Sequence, residues 1–350
     1  MLLVRAPLRI SFAGGGTDLP DYYERFGGLV VSVTIDKYFY VFLHPTGGRD
    51  VHISSADFST FSRWSADDEP VWDGHLRLPK AVLHDFSVDE GFSVFLASEV
   101  PPGTGLGSSS SVAVALTKAI STYLGQRLTP AEIAERAAGT EIRKLGSPIG
   151  KQDQYAAAFG GLNVLGFERE GVRVEHLALP PDARRELESN LLLFYTGSSR
   201  QANTILQRQR ESISAGQTDV LEALHAIKRS AEETKEALGR GDLDRVGEIL
   251  HRSWEAKRRL ASGVTNPRID ELYQLAREHG ALGGKIAGAG GGGFLFLYCQ
   301  RRFQPAVCAA LEAEGLHRMD FCFDDGGAKV LLNSATRPAV ARGEELRKAA

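Results

Sequence analysis

Residues 101–111 read PPGTGLGSSSS, and they constrain this chain more than any other stretch. They lie between a strand-like run, FSVFLA at 92–97, and the helix-patterned VAVALTKAISTYL at 112–124. Strand, glycine turn and helix must follow one another directly. Glycine lets backbone fold around a ligand where a Cβ would clash. The free N–H groups at the start of the next helix, with its dipole, form an anion site. The serine hydroxyls add oxygen ligands for a phosphate or a bound Mg²⁺. A solvated Gly/Ser linker would not be wedged between a buried strand and an apolar helix. No GxxxxGK[ST] occurs in the chain, so this is not a Walker loop.

Glycine is in excess, 38 of 350 residues against a usual ~7%. The excess clusters at 14–16, 103–107 and 283–293. In the last cluster Gly288, Gly290 and Gly293 fit GxGxxG, but a strand (FLFLYC) follows where a dinucleotide fold needs a helix. A tight hairpin supporting a phosphate loop is the better reading, with a purely structural glycine turn as the alternative. At the N-terminus a strand carries Arg9 into Gly14-Gly15-Gly16-Thr17-Asp18. Short polar side chains after a flexible turn suit hydrogen bonds to substrate hydroxyls, although Asp18 alone would read as a turn or cap residue. Glu141 and Asp153, the latter in GKQDQY, are candidates for the two carboxylates that an ATP-using phosphotransferase needs, one to share Mg²⁺ and one beside the attacking hydroxyl, although either alone would read as a solvated or salt-bridged carboxylate.

At 350 residues the chain exceeds the ~250–300 at which a single core usually divides. We expect an N-terminal domain over 1–185 and a C-terminal α+β domain over 186–350, divided in the polar stretch around Pro180-Pro181. A long half-buried strand is expected at 29–43, and a capped helix from Thr129 to about Leu145. The second half reads as two amphipathic helices parted by Gly239 and Gly241, a helix near 268–279, strands near 284–287, 294–299, 319–323 and 328–332, and a helix at 303–314. The net charge of −3 gives no broad basic field, so nucleic acid is not an expected partner. Neither a signal-peptide core nor a run of ~20 apolar residues is present, so no membrane partner and a cytoplasmic location are expected. Three cysteines are too few for a disulfide framework and read as small core hydrophobes.

Taken together and in this order, the four motifs resemble those of the GHMP kinases, over about residues 5–330. The resemblance implies an α+β fold with a ribosomal-protein-S5-like N-terminal domain and a ferredoxin-like C-terminal domain. It also implies ATP and Mg²⁺ as cofactors and a small-molecule sugar phosphate as substrate, with a homodimer as the one macromolecular partner kept open. Within the family, RISFAGGGTDLPDYY, GKQDQYAAAFGGLN and FYTGSSRQANTIL are most similar to bacterial heptose-phosphate kinases, with the kinase half of L-fucose-salvage enzymes second. The former phosphorylate the anomeric hydroxyl of D-glycero-D-manno-heptose 7-phosphate.

By position, the resemblance makes Asp153 the catalytic aspartate and Arg9 the arginine beside it. Pro102, Gly103, Thr104, Gly105, Leu106, Gly107, Ser108, Ser109 and Ser110 become the nucleotide loop, with Ser109 and Glu141 at Mg²⁺. Gly15, Gly16, Thr17, Asp18, Lys151, Arg200, Gly290 and Gly291 are expected on the substrate side, Lys151 and Arg200 as donors to a distal phosphate. Galactokinases have acidic and histidine residues where Gly15 and Gly16 stand here, which argues against galactose and leaves room for a bulkier sugar.

Overall fold

The computed structural model describes residues 1–65, 68, 71–87, 90–197 and 202–335. The first sheet is built on two long antiparallel strands, β1 (Leu2–Ala13) and β2 (Gly28–Pro45), joined through the short helix α1 (Pro20–Phe26). The β-branched and aromatic run expected at 29–43 accounts for the length of β2. A hairpin of β3 (Asp50–Ser55) and β4 (Thr60–Ser65) is followed by α2 (Arg77–Asp85) and β5 (Phe92–Ser98). β5 runs antiparallel to β2 and parallel to β3.

Three helices then cover one face: α3 (Ser108–Tyr123), α4 (Pro130–Ala138) with a π-helical turn over Gly139–Lys144, and α5 (Gln152–Phe159). The start of α4 is the reciprocal cap its sequence implies. Thr129 Oγ1 accepts from the Glu132 N–H, and Glu132 Oε2 accepts from the Thr129 N–H at 2.7 Å. β6 (Leu162–Glu168) pairs with the start of β2, and β7 (Gly171–His176) with β6.

The second half begins with α6 (Pro181–Ser189), so the expected division at 185/186 falls inside a helix. Pro180-Pro181 places a proline at the first helical position and starts this element rather than marking a linker. The remaining elements are β8 (Leu191–Tyr195), α7 (Ala202–Ser214), α8 (Thr218–Arg240), α9 (Leu243–Lys257), α10 (Pro267–Glu278), β9 (Gly283–Ile286), β10 (Phe294–Tyr298), α11 (Gln304–Ala313), β11 (His317–Arg318) and β12 (Lys329–Asn333). Gly239 stays inside α8, and the break comes at Gly241, left-handed at φ 71°. The second sheet has the order β11-β8-β10-β9, all antiparallel. β12 leaves this half and pairs with β1, and a bridge joins Phe323 to Ile35. The last strand expected in the second domain therefore completes the first sheet.

β1 contributes to two cores. Leu2, Val4 and Ala6 pack with the α3 and α4 side chains, among them Val114, Leu116 and Ile133. Leu8, Ile10 and Phe12 pack with Ala231, Leu250 and Phe296 from the second half. Alternation sends the intervening Arg9 and Ser11 to the opposite face of the strand. Cys299 is buried, as expected of a small hydrophobe, whereas Cys322 is exposed, carried on the irregular chain between β11 and β12. Among the described residues no helix is long and apolar enough to cross a membrane.

Candidate active site

The glycine loop after β5 is shaped against a second glycine segment. Gly105 is left-handed at φ 86°, and a Cβ there would lie 2.5 Å from the Ala287 carbonyl oxygen. A Cβ on Gly288 would lie 2.6 Å from Gly105 Cα, and one on Gly293 2.3 Å from the Thr104 carbonyl oxygen. The two segments touch backbone to backbone, which explains glycine in both. The β9–β10 hairpin thus supports the loop, as the sequence suggested. Thr104 and Leu106 shape it from inside: both are buried, Thr104 Oγ1 donates to the Pro101 carbonyl, and the Leu106 carbonyl accepts from the Arg9 N–H.

α3 begins at Gly107, which has no side chain to cap it. The first-turn residues Ser108, Ser109 and Ser110 line a cleft of about 180 Å³ together with Gly103, Gly105 and Gly107. Uncapped N–H groups at a helix start favour an anion there.

Arg9 Nε and a second guanidinium nitrogen reach Asp153 Oδ1 at 2.8 and 2.7 Å, and Nη1 donates to the Gly105 carbonyl at 2.6 Å. The Arg9 side chain is 5% exposed and that of Asp153 23%. One cation therefore fixes the carboxylate and the glycine loop to each other, and the carboxylate still opens on the cleft.

Asp18 sits on the other side of the same cleft, buried. Its Oδ1 accepts from the Gly16 N–H and Gln152 Nε2, both at 3.0 Å, and its Oδ2 from the Gln152 N–H at 3.1 Å. Burial pushes its carboxyl above the ordinary range and the nearby Asp153 charge adds to this, against the N–H donors of Gln152 and Gly16. Gly15, Gly16 and Gly290 line the cleft, whereas Thr17 and Gly291 are not among its lining residues. The Thr17 hydroxyl is taken up by the Gly14 and Leu29 backbone, and Gly291 donates to the Val264 carbonyl. Lys151 is also absent from the lining, because its ammonium is paired with Glu135 at 2.8 Å. Arg200 lies outside the described residues.

Ser109 Oγ donates to Glu141 Oε2 at 3.3 Å, and Gln154 Nε2 to Oε1 at 2.8 Å. Glu141 is buried, and burial raises its pKa to about 7 despite the Gln154 and Ser110 hydrogen bonds. A hydroxyl and a carboxylate with no resident counter-cation are hard oxygen donors that suit Mg²⁺, which takes one or two protein carboxylates and completes its shell with phosphate oxygens and water. Among the described residues no cluster of three or more acidic, His or Cys side chains offers a self-sufficient metal cage.

Two features escaped the sequence. The first is a cavity of about 500 Å³ that shares Gly103, Ser108 and Ser109 with the cleft and continues between Phe39, Phe58, His75 and Leu76. The Phe58 and His75 rings stack there with centroids 4.6 Å apart. The second is a set of side chains at the cleft floor, Gln152, Gln209 and Lys257. Lys257 follows Trp254 by one helical step on the face that carries Leu243, Val246 and Leu250, a signal available in the α9 sequence. Burial lowers its pKa to about 7, with a further push from Arg9.

Comparison with known proteins agrees with this arrangement. The family profiles described as GHMP kinases N terminal domain and GHMP kinases C terminal match residues 76–161 and 234–315. The chain is 34% identical over 331 residues to the D-glycero-alpha-D-manno-heptose 7-phosphate kinase of Campylobacter jejuni, covering 93% of this chain and 97% of that protein. It is 29% identical to the L-fucokinase/L-fucose-1-P guanylyltransferase of Bacteroides fragilis, over 84% of this chain but 34% of that longer protein. The crystal structure of a D-glycero-D-manno-heptose 1-phosphate kinase from Bacteroides thetaiotaomicron superposes with a TM-score of 0.79 at 30% identity, covering 96% of this chain and 100% of that one. The mixed α/β fold with two sheets is the fold of these kinases, and the chain belongs to the GHMP kinase family, as an ATP-dependent phosphotransferase acting on a sugar hydroxyl.

Proposed function

We propose that this chain transfers the γ-phosphoryl group of ATP to the anomeric hydroxyl of D-glycero-D-manno-heptose 7-phosphate, giving the 1,7-bisphosphate and ADP. The observation that carries the reading is the Arg9–Asp153 pair at the junction of two spaces, the phosphate loop on one side and the Asp18 pocket on the other. The sugar hydroxyl oxygen bonds to the γ-phosphorus as the bond to the β–γ bridging oxygen breaks. Asp153 orients that hydroxyl and takes its proton late, since loose phosphoryl-transfer transition states need little early proton abstraction. Arg9 keeps Asp153 ionised and offsets charge on the transferring group. The loop amides and the first turn of α3 hold the ATP phosphates. Ser109 and Glu141 would hold Mg²⁺, which when bound neutralises phosphate charge.

The glycines at 15 and 16 leave space for a heptose side arm, and the similarity to a heptose 7-phosphate kinase supports this substrate. Lys151 reaches a distal phosphate only by leaving Glu135. A cytoplasmic setting, where ATP is supplied, follows from the same reading. Similarity to an L-fucokinase supports a second reading, a free-sugar 1-kinase. An ATP-consumption screen separates the two. Efficient turnover of heptose 7-phosphate, with heptose 1-phosphate, free heptose, L-fucose, galactose and mevalonate far behind, is the expected result. Equal or better turnover of free heptose or fucose sinks the heptose-phosphate reading.

A further inference from the structure

Adjoining the cleft, and sharing Arg9, Gly15, Gln152, Lys257 and Gly288 with it, lies a small cavity of about 20 Å³. That is room for one water-sized occupant and excludes a phosphate group. Arg9, Ser11, Gln152, Ser253, Lys257 and Lys285 contribute to its lining, and no carboxylate does. The charge of Arg9 is already shared with Asp153. The two lysines bond to backbone carbonyls: Lys257 to Ile286 at 2.9 Å and Gly288 at 2.5 Å, Lys285 to Phe12 at 3.0 Å. Each keeps at least one N–H donor to spare. Lys285 is 6% exposed, and the Ser11 hydroxyl is buried with no hydrogen-bond partner. Lys285 is taken out of water beside the half-buried Lys257 with no carboxylate in the cavity lining, which is costly. Burial accordingly presses both amines toward the neutral form, with a further push from Arg9 on Lys257 and from Lys257 and Arg9 on Lys285.

We propose that this cavity is a resident anion site for a single monatomic anion of the chloride class, held by Lys257, Lys285 and the Ser11 hydroxyl. The ion supplies the charge that the lining lacks and gives the spare N–H and O–H donors an acceptor. With it in place both lysines stay protonated, and their bonds tie the glycine hairpin after β9 and the end of β1 together behind the transfer point. Size sets the selectivity: chloride and bromide fit, while gluconate, sulfate and phosphate do not.

Crystals of the full chain soaked in bromide should show an anomalous peak in this cavity, within hydrogen-bond reach of Lys285 Nζ. In solution, replacing chloride by gluconate at constant ionic strength should lower Tm by about 2–4 °C. Lys285→Met keeps the apolar stem, removes the charge and should abolish that anion dependence. Should Lys285→Met fail to fold, Ser11→Ala tests the same point and should raise the half-maximal chloride concentration several-fold. A cavity without anomalous signal, together with equal Tm in both salts, overturns the proposal in favour of a water between neutral amines. None of these readouts measures sugar phosphorylation, so this site and the heptose assignment can fail independently.

Discussion

The two ends of the cleft are built from different materials. The end that we propose takes the nucleotide is mostly backbone: Gly103, Gly105 and Gly107 turn the chain, and α3 presents uncapped amides. Its residues are contiguous, so one short stretch of sequence encodes it. The end that we propose takes the sugar is built of side chains, the buried Asp18 from the turn after β1 and Gln209 from α7 with the half-buried Gln152 from α5 and Lys257 from α9. They meet only because helices of the second half pack over the first sheet. Phosphate is common to every ATP-dependent kinase, and backbone amides recognise it without regard to the rest of the ligand. A particular sugar needs donors and acceptors at particular places, which tertiary structure alone supplies.

The pair that joins the two ends should give the largest effect when broken. Asp153→Asn keeps shape and removes the charge that Arg9 binds through two nitrogens. Turnover should fall by about 10²–10⁴-fold, the usual scale for a lost acid–base group. ATP affinity by calorimetry should stay within a few-fold. Turnover near the parent's would mean that another carboxylate faces the hydroxyl.

Gly105→Ala attacks the nucleotide end alone. Its Cβ meets the Ala287 carbonyl at a left-handed φ, and backbone on backbone cannot yield cheaply. Strain of roughly 1–3 kcal/mol corresponds to about a 5–150-fold weaker Kd for ATP if the loop shifts to relieve it. Sugar KM should move little. Equal losses for both substrates would show that the two ends are not separable.

Asp18→Asn is the complementary test. The amide oxygen can take the Oδ1 place and accept from the Gly16 N–H and Gln152 Nε2, but its NH₂ then faces the Gln152 N–H, from which the carboxylate accepts. Sugar KM should rise about 10-fold, the scale of a lost charged hydrogen bond, with ATP affinity unchanged. An unchanged sugar KM would remove Asp18 from the sugar pocket.

Legibility followed the same division. The loop and its helix could be read because local spacing marks them, whereas Arg9, Glu141 and Asp153 stood out only through the likeness of their motifs to those of the GHMP kinases. Lys151 and Thr17 have the right chemistry and adjacent positions, yet each turns to a partner outside the cleft, Glu135 and the Leu29 backbone. Neither pairing is visible without the fold. Lys285 sits in an apolar strand, where alternation alone would have pointed inward, but its meaning depends on Lys257 from another helix. The return of β12 to the first sheet was likewise hidden, since a five-residue strand carries no label for its partner.

The smallest expected effect comes from Glu141→Gln, and it tests whether the metal belongs to the nucleotide end. In the folded protein Glu141 has a pKa of about 7, above the ordinary carboxylate value of 4.5. The folded state therefore binds the proton more tightly than the unfolded chain. Below about pH 4.5 both states are protonated and nothing is lost; as pH rises toward 7 the unfolded state ionises first and stability falls; above 7 the loss is constant. The full loss is on the order of 3 kcal/mol. Glutamine does not ionise, so the Tm of the variant should gain on that of the parent between pH 4.5 and 7 and hold that gain above 7. With nucleotide present the sign should reverse, because a cation bound beside Ser109 would favour the ionised carboxylate that glutamine cannot provide. The variant should then need several-fold more Mg²⁺ for half-maximal turnover. A variant that is stabilised without ligands and unimpaired in its Mg²⁺ titration would leave Glu141 a buried acid with no part in the metal site.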